Sequence, residues 1–458
     1  MGKLRFYIAM LAAKLLRAGL KLLGRNATYL PGEIAVRICK DFIGYLQKPE
    51  TFIAVTGTNG KTTVSNLLTS VLTANGYDVI NNSYGSNVQS GIAAALLAES
   101  TFTGKPKKKI AVLEVDERSS LLVYPYMAPD YLICNNIMRD SLKRNAHTEF
   151  ISFIISKALP DTTKVFFNGD DIICSHLAPA NKDRTYFGMD AEKPEVSDSP
   201  HVKDIYYCPE CGAKLEADYI RYNHIGRIHC PACDFATPER DFLVTDIDRE
   251  NSRFTVTHDG KSETYNLIND NIVNVYNFCG AIALLTRLGL TTEQISKGFA
   301  QSEIVKTRYD FVQSGDLNIT LQLAKGQNPI ACARCYSYVA KRPGKNKAVI
   351  VLVDDKGDNV NNSESTCWLY DCDYSFLNDE SIGLIVFAGP RCLDHVLRAQ
   401  LAGIDKSKIR TVADPKLGAE AVDTSVYKDI FVLYDPYLLP EKEIAKKIYI
   451  EKGKGGNA

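Results

Sequence analysis

Apolar residues in this chain cluster in short solid runs separated by helical stretches. "TFIAVTGTNGKTTVSNLLTSVLTANGYDVI", from Thr51, reads as strand, glycine loop, helix, strand. "KIAVLEVDE" is a buried strand ending in acids, and "DYLICNNIMRD" and "TKVFFNGDD" are two more apolar strands with polar C-terminal ends. Strands alternating with helices predict a parallel α/β sheet, and polar residues at carboxyl strand ends line its ligand crevice. Residues 200–240 break the rhythm. "FTVTHDGKSETYNL" then predicts a hairpin around Asp259-Gly260, and "NVYNFCGAIALLTRLGLTTEQISKGFAQ" predicts two helices. After Arg308 a second series begins with "NITLQLA", "KAVIVLVDD", "SIGLIVFAG" and "DIFVLYD", which predicts a separate C-terminal α/β domain.

The first 25 residues, "MGKLRFYIAMLAAKLLRAGLKLLGR", form an apolar pattern interrupted by Lys14, Arg17, Lys21 and Arg25. A spanning helix needs about 20 mostly apolar residues, which this stretch lacks. It predicts a basic amphipathic helix, either packed on the body or lying on an anionic membrane surface.

A length of 458 residues predicts more than one domain. The 54 basic and 54 acidic residues cancel, so no global basic field points to nucleic acid. Thirteen cysteines and no export signal fit a reducing cytosolic compartment better than a disulfide framework. Four of them, Cys208, Cys211, Cys230 and Cys233, form two C-P-x-C knuckles with 18 residues between, the spacing of a zinc ribbon. A four-thiolate site is closed and structural. An insert of this size buries too little apolar surface to fold alone, so metal supplies the folding energy. Tyr206, Tyr207, Tyr219, Tyr222 and Ile225 give it apolar surface for docking on the body or on a partner. Cys332 and Cys335 in "CARC" are half a knuckle and read as unrelated to metal.

"GTNGKTT", Gly57 to Thr63, has the strand before it and the helix after it that a phosphate loop requires. Glycines let backbone N–H groups approach phosphate oxygens, and the helix N-terminus adds partial positive charge. Gly57, Thr58, Asn59, Gly60, Lys61, Thr62 and Thr63 are the candidate ATP contacts, with Lys61 on the β/γ-phosphates and the Thr62 hydroxyl on magnesium. Glu114, ending the next buried strand, is a second magnesium candidate; Asp116 and Glu117 follow it.

"TGTNGKTT" resembles the ATP-binding loop of the Mur ligases and folylpolyglutamate synthases. "LPGEIA" at 30–35, "NNSYGSNVQSG" at 81–91 and "VYNFCGAIA" at 275–283 fit the same superfamily. With the four-cysteine insert, the chain resembles the MurT family, the ligase-like subunits of lipid II isoglutaminyl synthase. The resemblance implies a Mur-ligase-type parallel-sheet ATPase domain over 1–306 with a zinc-ribbon insertion at 204–240. A C-terminal Rossmann-like α/β domain follows over 307–458. It implies ATP-dependent amidation of the D-glutamate α-carboxylate of lipid II in peptidoglycan synthesis. The implied partner is a GatD-type glutamine amidotransferase, and the implied lipid II substrate lies at the membrane surface; the expected setting is cytoplasmic, either free or peripheral at the inner face of the cell membrane. Implied cofactors are ATP, magnesium and structural zinc.

Residue by residue, Asn274 and Asn277 match the family's helix-start asparagines near the nucleotide, Arg308 its interdomain arginine, and Lys325 its "LAKNP" segment. Arg139 and Asp140 match a rim segment whose next acid is here Lys143, with His147 nearby. The family's ligase subunit lends an Asp to the partner's Cys–His pair, three residues before a Trp. Here that position before Trp368 is Ser365, leaving Glu364, Asp355 and Asp358 as candidate acids. Two other functions stay open: a ligase joining an amino acid to a carboxylate without a glutaminase, and a zinc-ribbon ATPase or scaffold on nucleic acid.

Overall fold

The computed structural model describes residues 2–82, 86–140, 147–192, 203–268, 271–302, 309–354 and 366–455. They form two compact units. The first spans residues 1–138, 148–198 and 205–304. The second combines residues 305–458 with two short pieces, 139–147 and 199–204.

The first unit is built on β1 (Thr51–Thr56), β2 (Val79–Asn81), β3 (Ile110–Glu114), β4 (Tyr131–Cys134), β5 (Lys164–Asn168) and β6 (Arg184–Met189). A small hairpin of β7 (Glu216–Tyr222) and β8 (Ile225–His229) follows, then β9 (Phe242–Asp248), β10 (Arg253–His258) and β11 (Lys261–Asn266). The large sheet runs β11-β10-β9-β6-β5-β4-β1-β3-β2. Pairing is parallel from β2 to β9. β10 is antiparallel to both neighbours, and β10–β11 is the hairpin predicted around Asp259-Gly260. Phe52, Ile53, Ala54 and Val55 of β1 are all fully buried, as a central strand covered on both faces requires. β3 lies on one side of β1 and β4 on the other, so chain order reverses at β1 and the crevice opens at its carboxyl end.

The basic N-terminal stretch is the helix Gly2–Leu22, which buries Phe6, Ala9, Met10 and Ala13. Phe6 packs on Phe42 and Tyr45 with ring centroids 5.3 and 5.5 Å apart. Packing on the body, one of the two expectations for this stretch, is thus present. No helix among the described residues is long and apolar enough to cross a membrane.

The second unit contains β12 (Tyr309–Ser314), β13 (Leu317–Leu323), β14 (Lys347–Leu352), β15 (Ile382–Ala388), β16 (Ile409–Val412) and β17 (Asp429–Tyr434). Its order is β12-β13-β17-β14-β15-β16, parallel except for the β12–β13 pair. The four apolar runs predicted as strands are β13, β14, β15 and β17, while β12 and β16 carry too few consecutive apolar residues to stand out. Cys332 and Cys335 face the core on the helix Pro329–Lys341. Lys347 is fully buried at the start of β14; its ammonium donates to Val339 O at 2.9 Å, Arg342 O at 2.5 Å and Ser381 Oγ at 2.9 Å, and burial lowers its pKa.

Candidate nucleotide loop and zinc ribbon

The loop Gly57–Gly60 joins the carboxyl end of β1 to the helix Lys61–Ala74. Gly57 and Gly60 sit at φ +116° and +90°, backbone that side-chain-bearing residues rarely adopt. Space demands glycine too: a Cβ on Gly57 would lie 2.9 Å from Asn136 O, and one on Gly60 2.8 Å from Asn135 Nδ2.

Lys61 Nζ donates to Gly57 O and pairs with Glu117 Oε1 at 2.9 Å. Burial works against this ammonium, but Glu117, then Glu114 and Asp116, outweigh it and hold its pKa above the usual range. Thr62 Oγ1 donates to Glu114 Oε2 at 3.0 Å, and Asn87 Nδ2 to Glu114 Oε1 at 3.2 Å. The two magnesium candidates, 52 residues apart, are therefore neighbours. A hydroxyl and a carboxylate are the hard oxygen donors that magnesium takes. Glu117 is the buried counter-ion of Lys61 rather than a free acid, and Asp116 caps Arg118 N at 3.1 Å.

Asn277 Nδ2 donates to Asn274 Oδ1 at 3.2 Å, and Asn277 Oδ1 accepts from Asn135 Nδ2 against the loop. Two residues the sequence reading did not single out, Asn135 and Asn136, close the loop from β4. Asn59 N donates to Asn136 Oδ1 at 2.9 Å and Thr58 N to Asn136 O at 2.9 Å. Thr58 Oγ1 donates to Met138 O at 3.0 Å. Their place after the strand beside β1 is the signal that could have found them.

The four ribbon cysteines come together. All four sulfurs lie within 4.8 Å of one another, with Cys208–Cys233 at 3.5 Å and Cys211–Cys230 at 3.4 Å. Zn–S bonds of about 2.3 Å in a tetrahedron need such spacing, so the donor set fits zinc. Each knuckle is tied by a backbone bond, Cys208 N to Ala213 O and Cys230 N to Phe235 O, both 2.8 Å.

The ribbon is joined to the segment after β5. Ile172 packs with Cys208, Ile228, Cys230 and Phe235, and His176 lies against Phe235 at 4.2 Å. Of the residues expected to dock the ribbon, Tyr219 and Ile225 are buried and Tyr222 meets Tyr276 edge-on, whereas Tyr206 and Tyr207 are exposed. His224, in the turn between β7 and β8, pairs with Asp171 Oδ1 at 3.0 Å, both fully buried. Asp171 Oδ2 accepts from Ile137 N at 2.8 Å, and the next residue, Met138, donates its N–H to Thr58 Oγ1 at 2.9 Å. One chain of hydrogen bonds thus runs from the ribbon to the phosphate loop. Losing a buried partner costs about 1–3 kcal/mol. His224→Ala is expected to lower unfolding stability by that order and to weaken ATP binding, read by urea titration and by nucleotide calorimetry.

In the second unit, Arg139 bonds Asp204 at 2.5 Å and Asp371 of the "CWLYD" segment at 3.1 Å. Asp140 pairs with Lys325 at 3.4 Å and accepts from Asn328 Nδ2 at 2.9 Å. His147 is exposed. Lys143, Arg308, Asp355, Asp358, Glu364 and Ser365 lie outside the described residues. Just before that last stretch, buried Asp354 faces His395 Nε2 at 3.6 Å, and His395 Nδ1 is 2.6 Å from Tyr374 Oη.

Residues 55–212 match the Mur ligase middle domain, and residues 325–435 match the MurT ligase C-terminal family. The subunit MurT of the glutamine-hydrolyzing lipid II isoglutaminyl synthase from Staphylococcus aureus (strain COL) is 31% identical over 88% of this chain and 89% of its own. The chain belongs to the MurT family. The Streptococcus pneumoniae subunit of the same name is 28% identical over 94% of both chains. Among solved structures, a pseudomurein peptide ligase type C from Methanothermus fervidus superposes with a TM-score of 0.64 at 19% identity, over 89% of this chain and 81% of that one. MurF ligase from Thermotoga maritima, solved with ADP, gives 0.59 at 16% identity, over 93% and 85%. These two share the Mur ligase fold with this chain.

Proposed function

We propose that this chain is the ATP-using half of a lipid II isoglutaminyl synthase. The observation that carries the reading is the Gly57–Thr63 loop with Lys61, Thr62 and Glu114 drawn together, in a chain related to MurT subunits along nearly its whole length. A carboxylate is a poor electrophile for ammonia. Transfer of the ATP γ-phosphoryl to one carboxylate oxygen of the stem-peptide D-glutamate gives an acyl phosphate and ADP. Ammonia then adds to the carbonyl, phosphate leaves, a proton is lost, and the primary amide of D-isoglutamine remains. Loop N–H groups and Lys61 would hold the transferring phosphoryl, whose charge spreads over its oxygens at the transition state. Thr62 and Glu114 would hold magnesium, which neutralises phosphate charge. Zinc on the four cysteines would close the ribbon.

Ammonia is reactive only unprotonated and scarce at neutral pH, which favours delivery by a glutaminase subunit. That subunit docks through the 354–373 segment of the second unit, where one acid orients its catalytic His. Glu364→Gln, with Asp355→Asn and Asp358→Asn in parallel, is expected to lower glutamine-dependent turnover about tenfold or more in one variant. Turnover with free ammonium is spared, because the ATP loop is untouched. Full glutamine-dependent activity in all three variants would remove the acid from the account.

A further inference from the structure

We infer that the outer face of the N-terminal helix is a docking surface for an anionic lipid bilayer. The inference goes beyond the amidation reading and stands on the helix and one neighbouring loop. The helix Gly2–Leu22 is apolar on two opposite sides. At about 100° per residue, Phe6, Ala9, Met10 and Ala13 form the buried side. Leu4, Ile8, Leu11, Leu15 and Leu22 form a stripe on the other, 66%, 50%, 48%, 64% and 89% exposed. Single exposed aliphatic side chains are ordinary, whereas five in one stripe mark a surface that meets something.

Charge identifies what it meets. Residues 1–32 contain Lys3, Arg5, Lys14, Arg17, Lys21 and Arg25 and not one acid. On the helix, exposed Lys3 and Lys21 fall along one border of the stripe and Arg5 along the other. A second element joins the same face. Lys14 Nζ donates to Ser100 O at 2.7 Å and Leu97 O at 3.2 Å, and lies 6.0 Å from the ring of Phe102. Phe102, half exposed, leads the loop "FTGKPKKK", whose Lys105 and Lys107 are exposed. Burial lowers the Lys14 pKa, Lys107 and Arg17 push it the same way, and Glu99 opposes them. Apolar side chains with a basic border suit the boundary between headgroups and acyl chains, where leucine inserts and lysine snorkels to phosphate. A second copy of the chain would bring the same basic borders together and is disfavoured. The packed inner side holds the stripe rigid, so little ordering opposes binding.

The test is flotation of the full-length protein with phosphatidylglycerol–phosphatidylcholine vesicles and with phosphatidylcholine vesicles alone. The wild type is expected to float with the anionic vesicles only, less so as salt rises. Leu11→Asp/Leu15→Asp is expected to reduce the bound fraction about tenfold. ATP-dependent amidation of a short-chain, water-soluble lipid II analogue should proceed at the wild-type rate, which separates this inference from the reading of the activity. If the aspartate variant melts early, Lys3→Gln/Lys21→Gln, which touches only exposed side chains, carries the test and should weaken flotation. Four results would overturn the inference: no flotation of the wild type, equal flotation on neutral vesicles, flotation unchanged in both variants, or a wild-type dimer that the aspartate variant converts to monomer.

Discussion

Lys61→Ala is expected to reduce ATP-dependent amidation by about a hundred- to a thousandfold, with the native fold and any partner complex retained at lower stability. Removing one preorganised contact to a transferring group commonly costs about that much. The structure shows how it is held in place and kept charged. Lys61 opens the helix after β1, its ammonium reaches back to Gly57 O, and Glu117, Glu114 and Asp116 hold it charged. The remaining loop contacts come from backbone N–H groups and asparagine amides, which are dipoles rather than a full charge. The variant leaves Glu117 buried beside the loop without its counter-ion, so Lys61→Ala/Glu117→Gln checks that the loss is chemical. A double variant as inactive as the single one, at wild-type melting temperature, supports the phosphate role. Wild-type turnover in Lys61→Ala removes it.

Zinc removal is expected to have the largest effect on stability. Protein prepared without chelator should contain one zinc per chain by elemental analysis, and Cys230→Ser should lose most of it. Structural zinc supplies about 10 kcal/mol or more of folding free energy to small domains. The ribbon's apolar cluster, five buried residues from Ile172 to Phe235, includes two of the sulfur ligands, Cys208 and Cys230, and cannot replace that energy. Without metal the ribbon opens, and the His224–Asp171 bond is lost with it. Cys230→Ser is therefore expected to unfold at lower temperature and to bind ATP more weakly, while the loop itself keeps its sequence and some affinity. Zinc-free wild-type protein of unchanged stability would contradict this.

Contiguous features were legible in the sequence. The phosphate loop is seven consecutive residues with a strand before and a helix after, and the ribbon announces itself by two knuckles at fixed spacing. The solid apolar runs became the central strands of both sheets, because strands covered on both faces need apolar residues at every position. Short or edge strands such as β12 and β16 lack that requirement and gave no signal. What the sequence hid is what the topology brings together. Asn135 and Asn136 reach the loop only because β4 lies beside β1, and Glu117 meets Lys61 only because β3 flanks the other side. His224 carries no signal in the sequence; its place comes from Asp171, 53 residues earlier. That bond ties the ribbon to the phosphate loop, because Asp171 also holds the backbone beneath Thr58.

Everything above turns on whether this chain activates a lipid II carboxylate for amidation. The most direct measurement is mass analysis of lipid II after incubation with the purified chain, a GatD-type glutaminase, glutamine, magnesium and ATP. Conversion of one stem-peptide carboxylic acid to a primary amide is expected, located on D-glutamate by fragmentation, with ADP formed in step. No conversion is expected without ATP, and Lys61→Ala should convert at about a hundredth of the wild-type rate or less. Addition of an amino acid to the stem peptide, or amidation that continues without this chain, would contradict this.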